Sequence, residues 1–226
     1  ENNFSINGFL GFDLYGKTIG VVGTGKIGRT FAELLQGFGM RILAYDLYPN
    51  TELAERLHLE YVPLDVLFRE SDIISLHCPL TPDNRYMINK ESIATMKPGV
   101  FILNTSRGAL IDTQALIKGL KKKQIGGAGL DVYEEETDYF FEDRSDSAID
   151  DDVLARLMTF PNVLITSHQA FFTREAERNI AKITLDNVLD YFYKRPLANE
   201  ICRDCDGKRS CPGKPNGSSC KHTGNA

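Results

Sequence analysis

The feature that most constrains the fold is a glycine-rich turn between an apolar run and a helical pattern. The turn reads Gly-Thr-Gly-Lys-Ile-Gly at residues 23–28 and directly follows the apolar run 18–22. Residues 31–35 continue with helical spacing of apolar side chains. Asp46 comes 18 positions after the last glycine, at the end of a second apolar run. A strand, a glycine turn, a helix and a second strand ending in a carboxylate predict a dinucleotide-binding unit.

Each part of this turn has a predicted role. Gly23 permits the tight turn, Gly25 lets a pyrophosphate approach the backbone, and Gly28 lets the helix pack closely. The free N–H groups and the dipole at the start of the helix attract phosphates. Asp46 is expected to accept hydrogen bonds from ribose hydroxyls. Residues 47–49 contain no Arg or Lys to hold a 2′-phosphate, so the sequence favours NAD over NADP.

Apolar strands alternate with amphipathic helices along the chain, which is typical of a parallel sheet covered on both faces. The pattern predicts strands near residues 18–23, 41–46, 73–76, 100–104, 127–131 and 163–166. It predicts helices near residues 26–38, 51–58, 90–95, 112–122, 151–157 and 174–193. The predicted fold class is therefore α/β, a doubly wound parallel sheet of the Rossmann type, with ligands beyond the carboxyl ends of its strands.

Composition excludes some classes of partner. The chain has 226 residues, of which 42% are hydrophobic, and a formal net charge of −5. The slight acidity argues against nucleic acid or a membrane surface as a partner. The sequence has no apolar run long enough to span a membrane and no amino-terminal signal pattern. A nearly cysteine-free body fits a reducing compartment, so a cytoplasmic location is expected.

Three predicted strands are each followed by a reactive side chain. Arg107 follows one strand, the acidic run 134–136 follows the next, and His168 follows the last. Each alone has a simpler interpretation, as a surface ion pair, a solvated charge run or a hydrogen-bonded histidine. Together they suit the oxidation of a 2-hydroxy acid by NAD, in which a guanidinium holds the carboxylate and an imidazole moves the hydroxyl proton.

Several motifs together resemble the D-isomer-specific 2-hydroxyacid dehydrogenases. The resemblance extends from about residue 8 to residue 201. It rests on residues 23–28, 104–108, 130–136 and 167–170, and the segments 77–82, 139–143 and 168–173 are most similar to fermentative D-lactate dehydrogenases. The resemblance implies an NAD-dependent enzyme that interconverts D-lactate and pyruvate. It also implies a homodimer formed through the dinucleotide domain.

The resemblance also implies a role for individual residues. Arg107 matches the substrate-binding arginine, His168 the acid/base, and Glu136 the glutamate paired with that histidine, with Glu134 and Glu135 as less favoured candidates. In the reductive direction His168 would protonate the carbonyl oxygen of pyruvate as NADH delivers hydride. The expected cofactor-binding residues are Gly23, Gly25, Lys26, Ile27, Gly28, Asp46, Cys78, Pro79, Asn84, Thr105, Ser106 and Asp131.

Two other functions stay open at this point. One keeps the chemistry and changes the substrate to another D-2-hydroxy acid, because substrate choice depends on loops that the chain lacks. The other is an NAD(H)-binding sensor similar to the corepressor relatives of the family. A sensor needs no base, so the presence of Arg107, Glu136 and His168 together favours catalysis.

The chain departs from the family in two respects, its domain organisation and its carboxyl-terminal tail. Residues 1–17 are interpreted as a linker at the end of the substrate domain, 18–173 as the NAD-binding domain, and 174–197 as a helix that returns to the substrate domain. The resemblance implies that most of that second domain is absent from the chain. We therefore expect the apolar face of helix 174–193 to be exposed, NAD binding to be retained, and turnover by this chain alone to be weak or absent.

The last predicted segment, residues 198–226, is a cysteine-rich tail outside the main fold. Its four cysteines could hold zinc in a tetrahedral site, but their spacing matches no standard finger and few apolar residues surround them, which favours a flexible extension. The candidate ligands are Cys202, Cys205, Cys211 and Cys220. A second unusual segment, residues 134–152, is acidic with three adjacent aromatic residues, and is expected to pack either on a neighbouring surface or locally.

Overall fold

The structure is a computed structural model, and it describes residues 11–134, 150–197 and 199. The strands in these residues are β1 (Thr18–Val22), β2 (Arg41–Tyr45), β3 (Leu59–Tyr61), β4 (Ile73–Leu76), β5 (Val100–Asn104), β6 (Ile125–Leu130) and β7 (Val163–Ile165). The α-helices are α1 (Lys26–Leu35), α2 (Thr51–Leu57), α3 (Leu64–Glu70), α4 (Lys90–Thr95), α5 (Thr113–Lys121), α6 (Asp152–Met158) and α7 (Arg174–Phe192). Short 3₁₀ helices follow α1 and β5.

The strands form one seven-stranded sheet in the order β3-β2-β1-β4-β5-β6-β7. Every pair of neighbouring strands is parallel, so their carboxyl ends lie along one edge of the sheet. The chain winds outwards from β1 in one direction and from β4 in the other. The predicted doubly wound parallel sheet is confirmed, and its topological switch point lies between β1 and β4, where such folds bind ligands.

Alternating side chains of the strands fill two cores, one on each face of the sheet. Val21 packs with Ala32 of α1 and Leu53 of α2 on one face. Val22 packs with Leu67 of α3 and with α4, α5 and α6 on the other face. Each fully buried side chain of this size stabilises the fold by about 1.5 to 3 kcal/mol. Burial on both faces explains why the strands read as continuous apolar runs in the sequence.

The sequence predicted six strands, and the elements it missed are β3 and α3. β3 has only three residues, which is too short to show an alternating pattern. It starts directly after His58, which ends α2 in the left-handed conformation at φ 47°. α3 packs closely over β1, because a Cβ on Gly20 would overlap the side chain of Leu67. The remaining predicted strands and helices match the observed ones within a few residues.

Contacts divide the chain into two compact units, with the boundary between His168 and Gln169. The first unit contains the whole sheet. In the second unit, α7 is a 19-residue helix whose residues include none that is buried. As predicted, its apolar side chains are exposed, and they are Ile180, Ile183, Leu185, Val188, Leu189 and Phe192.

Several predictions concern residues outside the described part of the chain. These are the aromatic residues 139–141, Glu135, Glu136 and the cysteines of the tail. Among the residues that are described, no helix is long and apolar enough to cross a membrane. Within the same ranges, no group of three or more His, Cys, Asp or Glu side chains is arranged to hold a metal ion.

Candidate functional site

The glycine turn between β1 and α1 has the backbone geometry that its sequence predicted. Gly23 has a φ of 93°, and a Cβ there would come within 2.7 Å of the backbone nitrogen of Cys78. A Cβ on Gly28 would overlap the carbonyl oxygen of Gly23. Gly25 is different, since a Cβ there would meet no atom within 4 Å. Two of the glycines are therefore required by the fold itself, and Gly25 borders open space.

The first turn of α1 faces this open space with unsatisfied donors. Gly25 is the N-cap of α1, and no side chain caps the helix. Five other helices, α2 and α4 to α7, are each capped by an Asn, Asp or Thr side chain. The first intrahelical bond runs from the Arg29 N–H to the Gly25 carbonyl. The N–H groups of Lys26 and Ile27 precede this bond and so lie in the part of the helix that has no partner within it. An uncapped helix start beside a glycine turn suits an anion such as a pyrophosphate.

The acidic residue at the end of β2 is anchored beside this turn. Asp46 Oδ2 accepts hydrogen bonds from the N–H of Thr24 at 2.6 Å and from its hydroxyl at 3.0 Å. Its Oδ1 accepts from the N–H of Tyr48 at 2.9 Å. Because β1 and β2 are adjacent, the bonds from Thr24 hold the carboxylate against the residue that lies between Gly23 and Gly25. The carboxylate keeps one acceptor position, on Oδ1, for a ribose hydroxyl.

The loop after β4 borders the same turn. Asn84 Nδ2 donates to the Pro79 carbonyl at 2.7 Å and lies 3.8 Å from the Cys78 sulfur. Asn84 Oδ1 accepts from the N–H of Thr81, so the side chain closes the loop from both sides. Burial raises the pKa of the Cys78 thiol to about 11, and the negative charge of Asp46 acts in the same direction. The thiol is therefore protonated at neutral pH, as expected for an unreactive lining residue.

His77 lies directly beneath the glycine turn. Its Nε2 is 2.9 Å from the Ser75 hydroxyl, and its ring packs against Phe31 of α1 at 4.9 Å between ring centroids. Nδ1 is buried and has no hydrogen-bond partner within the described ranges. Burial lowers the pKa of His77 to about 4, so the ring is neutral near pH 7. The buried, neutral ring suits a packing role and is unsuited to acid/base work near pH 7.

The segment after β5 is ordered by a fully buried side chain at the end of the strand. Asn104 accepts a hydrogen bond from the N–H of Ser106 and donates one to the carbonyl of Arg107. The Ser106 hydroxyl donates to the Cys78 carbonyl at 2.6 Å, which joins this segment to the loop after β4. Thr105 and Arg107 are exposed, and Arg107 Nη1 donates to the Ser106 carbonyl at 2.7 Å.

The ends of β6 and β7 are joined in the same way. Asp131 is buried, and its Oδ1 accepts a hydrogen bond from the Thr166 hydroxyl. The Asp131 carbonyl accepts from the N–H of His168 at 2.7 Å. His168 has a φ of 50°, a left-handed conformation that is uncommon outside glycine. The backbone of the histidine is therefore held in an unusual conformation against the end of β6, which is common at functional positions.

A close backbone contact connects the segment after β5 with the segment after β6. A Cβ on Gly108 would overlap the backbone of Tyr133 and Glu134. The carboxylate of Glu134 accepts a hydrogen bond from the Tyr86 hydroxyl at 2.8 Å. Glu134 is thus engaged with a neighbouring loop. Glu136 lies outside the described residues.

The predicted site residues of the described chain therefore share the carboxyl edge of the sheet. Gly23, Gly25 and Asp46 lie at the ends of β1 and β2, and the bond from Ser106 to Cys78 joins the loops after β5 and β4. Further along, Arg107 follows β5 and His168 follows β7, with β6 between them. Along this edge the Asp46 carboxylate after β2, the uncapped start of α1 after β1, the Arg107 guanidinium after β5 and the His168 imidazole after β7 follow one another in that order.

Sequence reasoning missed two tyrosines at this edge. Tyr61 ends β3, and its hydroxyl lies 2.8 Å from the hydroxyl of Thr24. Tyr86 has a φ of 54° and contacts Glu134. Neither belongs to a glycine, acidic or histidine motif, and both follow segments too short to show a periodic pattern. Tyr61 could have been identified from the sequence only if strand β3 had been predicted.

Comparison with protein families gives a match over residues 1–170 to the NAD-binding domain of D-isomer-specific 2-hydroxyacid dehydrogenases. The chain is 54% identical to D-lactate dehydrogenase of Escherichia coli over 201 residues, covering 89% of this chain and 61% of that protein. It is 48% identical to an aromatic 2-oxoacid reductase of Clostridium sporogenes over 204 residues, covering 89% of this chain and 61% of that protein.

A solved structure described as the pyruvate reductase of Chlamydomonas reinhardtii superimposes with a TM-score of 0.83 at 46% identity, covering 88% of this chain and 60% of that structure. The chain thus spans less than two thirds of the length of these relatives. The match covers the sheet and the strand-end residues of the site. This chain therefore belongs to the D-isomer-specific 2-hydroxyacid dehydrogenase family, of which it carries the NAD-binding domain.

Proposed function

We propose that this chain is the cofactor-binding part of an NAD-dependent D-2-hydroxyacid dehydrogenase that interconverts D-lactate and pyruvate. The observation that carries the proposal is the order of groups along one sheet edge, from the uncapped start of α1 to Arg107 after β5 and His168 after β7. The high identity to a D-lactate dehydrogenase and the likeness to a pyruvate reductase support the choice of substrate.

In this proposal the cofactor is held by the edge between β2 and β4. The N–H groups of Lys26 and Ile27 bind the pyrophosphate, and Gly25 leaves room for it. Asp46 accepts from the adenosine ribose, and its negative charge disfavours the 2′-phosphate of NADP. The adenosine side is lined by Cys78, Pro79 and Asn84, and the nicotinamide side by Thr105, Ser106 and Asp131.

The remaining groups bind the substrate and move its proton. The guanidinium of Arg107 binds the substrate carboxylate bidentately and fixes its orientation. The imidazole of His168 donates a proton to the carbonyl oxygen in the reductive direction and accepts it in the oxidative direction. Glu136 stabilises the imidazolium form and orients the ring. NADH, when bound, supplies the hydride to the carbonyl carbon.

The substrate is the less specific part of this proposal. A relative named aromatic 2-oxoacid reductase is 48% identical, so a larger side chain on the acid is a second candidate. The chain also spans less than two thirds of its relatives' length. We therefore propose that the chain alone binds NADH and turns over pyruvate weakly or not at all.

The assembly and domain limits are proposed on the same basis. Residues 18–173 form the NAD-binding domain, 174–197 return to a substrate domain, and 198–226 are an extension that holds no metal. The protein is a homodimer in the cytoplasm. Analytical ultracentrifugation tests the dimer. One zinc per chain in a metal analysis of the purified protein would contradict the assignment of the tail.

The test of function uses this chain extended to the full length of its relatives. Turnover of pyruvate and of an aromatic 2-oxo acid is measured with NADH, in the parent and in His168→Ala. We expect a preference for pyruvate in kcat/KM. We also expect a loss of roughly a thousand-fold in kcat for His168→Ala, because general acid/base groups contribute about 10² to 10⁴. Its NADH affinity should stay unchanged.

The matched control is His58→Asn, since His58 is exposed at the end of α2 and plays no part in the proposed chemistry. Its kcat should equal that of the parent. Equal kcat in the parent and in His168→Ala would contradict the proposed acid/base role. NADH-dependent peptide binding without turnover would favour the corepressor-like sensor instead.

A further inference from the structure

The tyrosine at the end of β3 is linked to the ribose-binding carboxylate through one intervening hydroxyl. Tyr61 Oη lies 2.8 Å from Thr24 Oγ1, and Thr24 Oγ1 donates to Asp46 Oδ2 at 3.0 Å. Thr24 is buried to 6% exposure, although it lies in a loop. Register pairs Tyr61 with Ala44 of β2, two residues before Asp46, so the ring stands beside the carboxylate.

The direction of these bonds follows from the number of protons. An ionised carboxylate only accepts hydrogen bonds, so the single hydroxyl proton of Thr24 is used on Asp46. The bond between Tyr61 and Thr24 must therefore be donated by the tyrosine. The chain of donors runs from Tyr61 to Thr24 to Asp46, and each bond polarises the next.

The same count defines what Asp46 has left for a ligand. A carboxylate has about four acceptor positions, two on each oxygen. Oδ2 uses both of its positions on the N–H and the hydroxyl of Thr24, and Oδ1 uses one on the N–H of Tyr48. One acceptor position on Oδ1 is left for a ligand. The bonds from Thr24 to Oδ2 and from Tyr48 to Oδ1 restrict rotation of the carboxylate.

We propose that Tyr61 is a positioning residue for the cofactor. By donating to Thr24 it keeps the threonine proton on Asp46 Oδ2 and so presents Oδ1 to a single ribose hydroxyl of NAD. Tyr61 contributes in this way to the preference for NAD over NADP. In NADP a phosphate replaces the 2′-hydroxyl of the ribose, so no hydroxyl is present there to donate to Oδ1. The proposal rests on the binding of NAD by this edge, which the proposed function also requires.

A purely structural role of Tyr61 makes a different prediction. The ring also packs against the core on the α1 and α2 face of the sheet. If packing were its whole contribution, removal of the hydroxyl alone would leave cofactor affinity unchanged. An effect that depends on the Thr24 hydroxyl would be expected only if the tyrosine acts through the threonine.

The test measures equilibrium dissociation constants of NADH and NADPH by fluorescence titration of this chain. Tyr61→Phe should weaken NADH binding about three- to ten-fold, which corresponds to about 0.7 to 1.4 kcal/mol and lies within the range for one hydrogen bond. Its NADPH affinity should change by less than about two-fold. Thr24→Val should weaken NADH at least as much, and Thr24→Ser, which keeps the hydroxyl, should bind NADH like the parent.

The double variant Tyr61→Phe with Thr24→Val separates the two roles. Because Tyr61 acts through the Thr24 hydroxyl, the double variant should bind NADH as Thr24→Val does. The matched control is Tyr15→Phe, which removes an exposed phenol hydroxyl at the opposite edge of the sheet and should change nothing.

Three results would overturn the proposal while the parent still binds NADH. They are unchanged NADH affinity in Tyr61→Phe, equal weakening of NADH and NADPH, and additive losses in the double variant. Failure of the parent chain itself to bind NADH would overturn this proposal together with the proposed function. The parent titration therefore distinguishes the two failures.

Discussion

Two histidines follow parallel strands at the same edge of the sheet, yet their surroundings differ. His77, after β4, is mostly buried between Phe31 and Ser75, and its pKa is lowered to about 4. His168, after β7, is partly exposed, and its backbone is held at a φ of 50° by a bond to Asp131. A position at a strand end is therefore not enough to make a histidine an acid/base group.

The difference extends to the regions around the two residues. Around His77 the glycine turn, α1 and the ends of β1 and β4 pack closely together, and we call this the binding region because the proposed function assigns the pyrophosphate and ribose to it. Around His168 the ends of β5, β6 and β7 are tied together by backbone and buried side-chain bonds, while the Arg107 side chain remains exposed. This second region combines a hydrogen-bonded base with an exposed Arg107 side chain, an arrangement that suits the proposed reacting site.

The largest effect is expected where the binding region is tightest. A Cβ at Gly28 would overlap the Gly23 carbonyl, so Gly28→Ala should destabilise the chain by about 3 kcal/mol or more, despite the better helix propensity of Ala. Denaturant unfolding of the chain measures this loss. The matched control is Gly37→Ala, where a Cβ meets no atom within 4 Å. Equal unfolding midpoints in the two variants would show that the turn is looser than described.

An intermediate effect is expected from the buried His77, and it concerns the pH dependence of stability. The folded pKa of His77, about 4, lies below the unfolded value of 6.5. Between these values the unfolded state binds the extra proton, so the stability contributed by the neutral ring is complete above pH 6.5 and is lost as pH falls towards 4. We expect a loss of about 2 kcal/mol, allowing for the partial exposure of the ring.

The measurement compares unfolding free energies of the parent and His77→Gln from pH 7 to pH 4. The variant should lack this part of the pH dependence, because Gln does not titrate. His58→Asn, which replaces an exposed histidine by a residue that tolerates the left-handed conformation, should keep it. A parallel pH dependence in parent and His77→Gln would contradict the burial of the ring.

The smallest effect on stability is expected at Gly25. Its φ of −62° suits any residue, and its Cβ would enter open space, so Gly25→Ala should change stability by less than about 1 kcal/mol. The added methyl group would occupy the space assigned to the pyrophosphate, and NADH should bind about ten-fold more weakly or worse. Fluorescence titration with NADH tests this, again against Gly37→Ala. Unchanged NADH affinity would place the pyrophosphate elsewhere.

The sequence predicted the binding region well because its constraints are local. The turn at residues 23–28 and Asp46 lie within one strand–helix–strand unit, and each glycine can be interpreted from its own neighbours. Strand-end positions of Arg107 and His168 were also predictable, since both follow apolar runs. In each of these motifs, the residues that form the pattern and the structure that the pattern predicts lie close together along the chain.

The features that sequence reasoning missed depend on contacts between distant segments. Tyr61 meets Thr24 only because β3 pairs with β2, and β3 has three residues. Tyr86 meets Glu134 across 48 positions of sequence and adopts a positive φ that no local motif announces. Either contact can be predicted only after the order of strands in the sheet is known, because the sequence around each tyrosine does not show which distant segment it contacts.

In the proposed function, Arg107 and His168 face the nicotinamide of an NAD molecule held by the glycine turn. A crystal structure of this chain with NADH tests it most directly. We predict the pyrophosphate on the first turn of α1, a ribose hydroxyl on Asp46, and the nicotinamide ring between the ends of β5 and β7, with the Arg107 and His168 side chains on one face of it. A nicotinamide ring remote from either side chain would contradict the account.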